Sequence, residues 1–388
     1  MSTKINKAKE IKLNQITELT DTIFGDDMHA KRVGSVSNAT LGILQSTSLV
    51  VHSIGQGLAS AHGLVPKHAI KQVDRLLSND KLDPWDCFLY WVPYVIGSRQ
   101  EIIVAMDWTD FDADGHSTLM ISLVTNHGRS TPLLWKTVEK STLKGHRNDY
   151  EDELVEYFHD LLAGTVKVTV LADRGFGDQA LYAFLESLGF DYVIRFRGNI
   201  KVTNQKGEVR DAANWCGSTG RAKSLKDALV TGHGYQVGQV VCKHGKEMKE
   251  AWCLVASDAS LKAQTIVNYY AKRWTIEPVF RDVKDIHYGM GMSKTSISKP
   301  SRRDNLFLLS AIAMLVLTLL GAAGEALGLD RLLKANTAKH RVHSLFKQGC
   351  LWLYLLRNMP KERLNLLLNK FQELMCKNSF SNKIFGVI

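Results

Sequence analysis

No two of the six cysteines form a CxxC pair: Cys87, Cys216, Cys242, Cys253, Cys350 and Cys376 are scattered along 388 residues. That spacing fits a reducing cytoplasm and argues against a zinc site or a disulfide framework. His340 and His343 lack nearby partners for a metal site of their own. The opening residues, "MSTKINKAKEIKLNQ", contain no apolar signal core, so a cytoplasmic protein is expected. Internal repeats and low-complexity tracts are absent as well. Long apolar runs are missing with one exception. "NLFLLSAIAMLVLTLLGAAG", from Asn305 to Gly324, carries no charge over twenty residues and is long enough to span a bilayer. It stands alone, is rich in alanine and sits in a basic chain, so a buried core helix is expected and a membrane partner is not.

What is present is positive charge. The net charge is +10, and residues 331–388 alone hold 11 Lys and Arg against 2 Asp and Glu. A basic surface implies a polyanionic partner, most often nucleic acid. The length is enough for a large core and two or three domains.

Residues 1–98 read as helical. His62-Gly63-Leu64 breaks one helix, and Pro66 suits the first turn of the next. In that second helix Ile70, Val73, Leu76 and Leu77 share a face, while Lys67, Lys71 and Arg75 recur on another. Such a helix serves either as a DNA recognition helix or as an ordinary amphipathic one. The pattern then changes. "EIIVAMDW", "HSTLMISLVTN" and "RSTPLLWKTVEK" read as three consecutive strands. The helix "RNDYEDELVEYFHDLLAG", the strand "VKVTVLADRGFG", the helix "QALYAFLESLGF" and the strand "DYVIRFRGN" follow. Hairpin strands followed by alternating helix and strand predict an α/β fold with a mixed sheet and helices on its faces. Residues 199–250 are Gly-rich and weakly stranded and read as an inserted β-rich subdomain. "AWCLVAS" returns to the main pattern, which runs over 251–325 as it did over 99–198. Basic helices are expected over 326–388.

Three acids stand where strands or helices present them. Asp107 ends the apolar run "IIVAMD", Asp173 ends "VTVLAD", and Glu277 lies in "YYAKRWTIEPVFRDVKD". For either Asp alone, a turn residue is the simpler reading. Together the three can converge at a sheet edge and bind Mg²⁺ or Mn²⁺ through oxygen, two such ions serving phosphoryl transfer. Read as one helix, the last stretch places Arg273, Lys284, Glu277 and Arg281 between about 300° and about 20° from Tyr270, beside a separate apolar arc. By itself that pattern also describes a solvated amphipathic helix with surface ion pairs. Pro278 is expected to remove one hydrogen bond and kink the axis. Asp110, Asp112 and Asp114 before Gly115 imitate a calcium loop, but Ile121 stands where the bidentate Glu is required. They are expected to form the solvated turn of a hairpin.

The spacing Tyr270-x2-Arg273-x3-Glu277-x6-Lys284, with Trp274 after the arginine, resembles the tyrosine–arginine–glutamate–lysine signature of the fourth family of bacterial insertion-sequence transposases. "LADRGFGD" and "AMDWTD" resemble that family's second and first motifs, in order, and the likeness covers roughly residues 60–325. It implies an RNase H-like core with a β-rich insertion, a helical DNA-binding N-terminal region and C-terminal helices that pair subunits. It further implies that Asp107, Asp173 and Glu277 bind two Mg²⁺ (or Mn²⁺) ions, and that Tyr270, Arg273 and Lys284, with Arg281 beside them, hold phosphates of a transposon end. Similar enzymes stack an expelled base on a tryptophan of the insertion. Trp252 is the nearest candidate, Trp215 is another, and a core tryptophan is the plain alternative.

The expected function is therefore metal-dependent 3′-end nicking and strand transfer of DNA by a DDE transposase, acting on terminal repeats and target DNA as a homodimer in the bacterial nucleoid. Two rivals are a structure-selective nuclease on the same fold and a degenerate element that only binds DNA.

Overall fold

The strand-like runs in the centre of the chain all join one sheet. In the computed structural model, which describes residues 11, 13–162, 164 and 166–376, ten strands form it. They are β1 (Glu101–Phe111), β2 (His116–Leu123), β3 (Thr131–Glu139), β4 (Lys167–Ala172), β5 (Asp191–Phe196), β6 (Lys201–Thr203), β7 (Val209–Asp211), β8 (Lys223–Val230), β9 (Tyr235–Lys243) and β10 (Trp252–Ala256). Their order is β3-β2-β1-β4-β5-β10-β9-β8-β6-β7. The hairpin strands β1 to β3 pair antiparallel, whereas β1, β4 and β5 run parallel. Parallel neighbours need crossovers, and the helices α6 (Arg147–Leu161) and α7 (Gln179–Ser187) supply them. The fold is thus a mixed α/β sheet with flanking helices. The strands of residues 199–250 continue this sheet, because β10 pairs antiparallel with both β5 and β9.

Five helices precede the sheet: α1 (Leu13–Phe24), α2 (Ala30–Ser46), α3 (Val51–His62), α4 (Pro66–Leu77) and α5 (Pro84–Ile96). Gly63 adopts φ +66 at the break between α3 and α4, a conformation without steric cost only for glycine. Ala69, Val73, Leu76 and Leu77 of α4 are buried, while Lys67, Lys71 and Arg75 are exposed.

The apolar run lies in α10 (Pro300–Ala326), and its most apolar window is wholly buried within the fold. It packs against β3 and α2 and against α11 (Leu345–Leu355) and α12 (Lys361–Cys376). Two glycines let α10 and α11 touch backbone to backbone. A Cβ on Gly321 would lie 1.9 Å from the Leu345 carbonyl oxygen, and one on Gly349 would lie 1.8 Å from that of Leu317. Residues 1–10 and 377–388, the outer parts of the expected terminal regions, lie outside the described residues.

Three expectations need correction. The stretch from Tyr269 to Asp285 is not one helix: α8 (Ala263–Lys272) gives way to a 3₁₀ turn at Arg273–Thr275, and α9 (Ile276–Lys284) follows. Pro278 accounts for the break. It cannot donate to the carbonyl four residues back and its ring crowds that carbonyl, so the chain tightens before it, and it sits in the first turn of α9, where no donor is needed. Next, β1 runs on past Asp107 to Phe111, paired with β2, so Asp107 ends the apolar stretch and not the strand. The acids of the hairpin turn are ion-paired, not merely solvated: Lys140 holds Asp110 and Asp112, and the fully buried Arg303 holds Asp114. Beyond these corrections, cysteines far apart in the sequence come together: Cys242 and Cys253 face each other across β9 and β10, and Cys216 lies close enough to Cys242 for the two thiols to interact. They remain free thiols.

Candidate active site

Register brings the first two acids together. Met106 of β1 is level with Ala172, the last residue of β4, in the parallel pair, so Asp107 and Asp173 each follow directly on that level pair. In open α/β sheets the carboxyl ends of parallel strands are where ligands bind. Beyond β4 the chain turns sharply, and Asp173 caps the 3₁₀ turn Arg174–Phe176 by accepting from the Gly175 N–H at 2.7 Å. Asp107 accepts from the Trp108 N–H at 2.9 Å.

The third acid is tied in by Arg273. Its Nη1 lies 3.1 Å from Asp107 Oδ2 and its Nη2 lies 2.7 Å from Glu277 Oε1. Because the 3₁₀ turn keeps Arg273 one helical turn before Glu277, a single planar guanidinium spans both carboxylates. Burial pushes the Asp107 carboxyl up to about 6; the charges of Asp173 and Glu277 add to the rise, and Arg273 opposes it.

The other signature residues take places that the single-helix reading did not foresee. Tyr270 is 2% exposed and its ring meets Trp252 edge-on, with centroids 4.9 Å apart. Arg273 is 6% exposed and its charge is directed to carboxylates rather than to solvent. Lys284 reaches Thr109 Oγ1 at 3.1 Å and the Asp110 carbonyl at 2.5 Å, and its burial lowers its pKa. Its docking on β1 locks α9 beside the first acid. Arg281 is exposed and, with Lys284, His287 and Lys294, lines an open hollow of about 480 Å³. Asp282, an acid of the same helix, is engaged by Arg129 at 2.5 Å instead. Trp252 is half-buried on β10. Trp215 is buried, and its Nε1–H donates to the Val202 carbonyl. Trp274, next to Arg273, is by contrast 56% exposed. Lys67, Lys71 and Arg75 are not gathered here; they lie on α4, which packs on α2, α3 and α10.

One group was missed from the sequence. Glu151 of α6, buried, accepts from Trp108 Nε1–H at 2.7 Å and from Arg147 Nε–H at 2.9 Å. The Arg147 guanidinium lies over the rings of Trp108 and Phe176, at 5.4 and 5.5 Å. Its Nη2 is 3.7 Å from where a Gly175 Cβ would stand, a point 3.0 Å from Asp173 Oδ1. A half-exposed cation therefore stands beside the turn that carries Asp173. The i,i+4 spacing of Arg147 and Glu151 is the only trace of this in the sequence, and it also describes a common surface pair.

Carboxylate oxygens are the hard donors that Mg²⁺ and Mn²⁺ prefer, and crowded negative charge at a buried carboxyl is what a bound cation relieves. The donor set fits a divalent ion. As placed, however, the positive charge among the acids is Arg273, and among the described residues no group of three His, Cys, Asp or Glu is gathered closely enough to hold an ion. A hollow of about 840 Å³ lies elsewhere, between the end of α4 and the start of α10. An open groove for a polymer has no need of an enclosed cavity, so volume does not locate this site.

No curated protein sequence matches the chain. Among solved structures it is similar to the Marinitoga piezophila Argonaute in complex with 5′-OH guide RNA and target DNA, at 11% identity over 66% of this chain and 35% of that one, with a TM-score of 0.20. A likeness that slight carries no argument. Residues 98–316, more than half of the chain, match the model of the transposase DDE domain. That span contains Asp107, Asp173 and the signature stretch with Glu277, and the chain belongs to the DDE transposase domain family.

Proposed function

We propose that the chain is a cut-and-paste DNA transposase with an RNase H-like core, in which Asp107, Asp173 and Glu277 are the catalytic acids. The observation that carries this reading is the register that places Asp107 and Asp173 side by side, with Glu277 joined to Asp107 through one guanidinium. The three acids would hold Mg²⁺ or Mn²⁺, which when bound supplies Lewis-acid activation of the attacking oxygen and stabilisation of the leaving one. The protein's own groups do the rest. The turn at Gly175 fixes Asp173, the Trp108 N–H fixes Asp107, and Arg147, Arg281 and Lys284 offer positive charge to backbone phosphates on either side. In the reaction a water oxygen attacks the phosphorus at the transposon 3′ end, releasing a 3′-OH, and that hydroxyl then attacks a target phosphate in line. Exposed Lys67, Lys71 and Arg75 would bind the duplex at a distance from the chemistry. Two copies would act together on two ends.

The test is incubation of the purified full chain with its own element's ends and Mg²⁺. Cleavage at the element boundary with strand transfer is expected. Cleavage without end preference would favour a structure-selective nuclease, and binding without cleavage a degenerate element. Light scattering with and without end DNA reads the assembly.

A further inference from the structure

The buried guanidinium of Arg273 is in an unusual position for a DNA ligand. Its side chain is 7% exposed, and both of its Nη atoms are engaged by acids of the site. It is enclosed between aromatic rings, with Tyr270 and Trp274 centroids each 5.8 Å from its Cζ. Lys284, the other signature cation, is held by a hydroxyl and a carbonyl, so the two are not equivalent. Asp173, in turn, takes its hydrogen bond from backbone. In the free chain, then, two of three acids share one internal cation and the third does not.

We propose that Arg273 is the resident counter-ion of the free site, and that it gives up Asp107 and Glu277 to a divalent ion and turns to a phosphate of the incoming strand, so that ion and DNA assist each other's binding. This rests on the reading of the three acids given above. The physical reason is charge balance. A carboxylate oxygen that turns to an ion no longer accepts fully from Arg273, and a guanidinium left unpaired where it is almost wholly buried is costly. A phosphate laid over the exposed face of Trp274 is the anion that restores its pairing, and the planar fork suits phosphate as well as carboxylate. Without DNA the released cation has no partner, so the ion should bind weakly. Without the ion the cation is not released, so DNA should lose that contact. Coupling of this kind is reciprocal.

The test uses the full-length protein and Mn²⁺ as the probe. Mn²⁺ binding in the absence of DNA is measured by calorimetry for wild type, Arg273→Gln and Arg273→Lys. Affinity for an end duplex is measured by anisotropy in EDTA and in Ca²⁺. Arg273→Gln is expected to bind Mn²⁺ several-fold more tightly than wild type, because a competing cation is gone. Arg273→Lys, a charge without the fork, is expected to fall between them and serves if the Gln variant does not fold. Wild type is expected to gain about tenfold in DNA affinity on adding Ca²⁺, and Arg273→Gln to gain little. Unchanged or weaker Mn²⁺ binding in both folded variants, with the Ca²⁺ gain intact, overturns the exchange and makes Arg273 an orienter of the carboxylates. Asp173→Asn separates the two levels of inference. If it abolishes Mn²⁺ binding while the exchange fails, only the exchange is wrong. If wild type binds no Mn²⁺ with or without DNA, the reading of the acids falls with it.

Discussion

Asp107 and Asp114 lie on one hairpin, and each carboxylate faces a buried arginine. Their expected consequences differ because their surroundings do. Asp107→Asn, Asp173→Asn and Glu277→Gln should each abolish cleavage while end binding survives. Asp110→Asn and Asp112→Asn should keep most activity, since Lys140 is an exposed partner whose pairs contribute little. Asp114→Asn removes the anion from Arg303, which is 0% exposed, and a buried charge stripped of its partner costs about 3–5 kcal/mol. Denaturant midpoints should therefore fall for Asp114→Asn and stay put for Asp112→Asn, with nicking assays giving the reverse contrast against Asp107→Asn. A dead Asp112→Asn beside an active Asp107→Asn would move the first acid along the hairpin. Arg147 belongs at the same scale. If it grips a phosphate, Arg147→Ala should lower the slope of log K against log salt by about 0.9 for cognate and scrambled ends alike, and Arg147→Lys should restore it. An unaltered slope in the alanine variant would leave Arg147 as a partner of Glu151 and nothing more.

At the scale of elements, α10 holds a buried carboxyl, Asp304, with no part in the chemistry. Burial pushes Asp304 up to about 8, against hydrogen bonds from Thr137, whose backbone N–H lies 3.0 Å from Oδ1. In the unfolded chain the group titrates near 4. Between these values the folded protein binds the proton and the unfolded chain does not, so this group's contribution to stability is full below pH 4 and is lost as pH rises through 8. Asp304→Asn keeps an acceptor for Thr137 and has no proton to lose. Melting temperatures across pH 4–8 should decline less for this variant, with the largest gain over wild type at pH 8; parallel curves would show that Asp304 is not the source of the slope. The elements themselves were largely legible. Runs rich in apolar and β-branched residues marked β1 to β5 and β10, and the Gly63 break with Pro66 marked α4, because those signals are local. Pairings were not legible. Nothing near Cys216 announces Cys242, and nothing in "RNDYEDE" says that Arg147 will stand over the turn after Asp173, since both depend on which strands become neighbours. The error at Arg273 was different in kind: the spacing was right, but one proline five residues on changed the helix that the spacing was projected upon.

At the scale of the whole molecule, the cations read as DNA ligands fall in two separate places. One set surrounds the acids at the sheet end, and the other lies along the exposed face of α4, on the helical side of the fold. A protein that must hold a duplex while cutting one phosphate gains from this division, because long-range binding need not compete with the carboxylates for the same cations. The division is testable because salt separates the two. Each phosphate contact releases counterions and contributes about 0.9 to the salt slope, so replacing Lys67, Lys71 and Arg75 together with alanine should flatten it by roughly 2.7. These residues are exposed and their helix buries its opposite face, so the melting temperature should hold. At saturating DNA, nicking at the end should continue at nearly the wild-type rate, whereas at low DNA and moderate salt it should collapse. Asp107→Asn should do the converse, binding with the full slope and cutting nothing. If the triple variant binds as wild type does across the salt series, α4 is an ordinary amphipathic helix, and the duplex must be held by other basic surfaces, for which the cation-rich face of α9 is the next candidate.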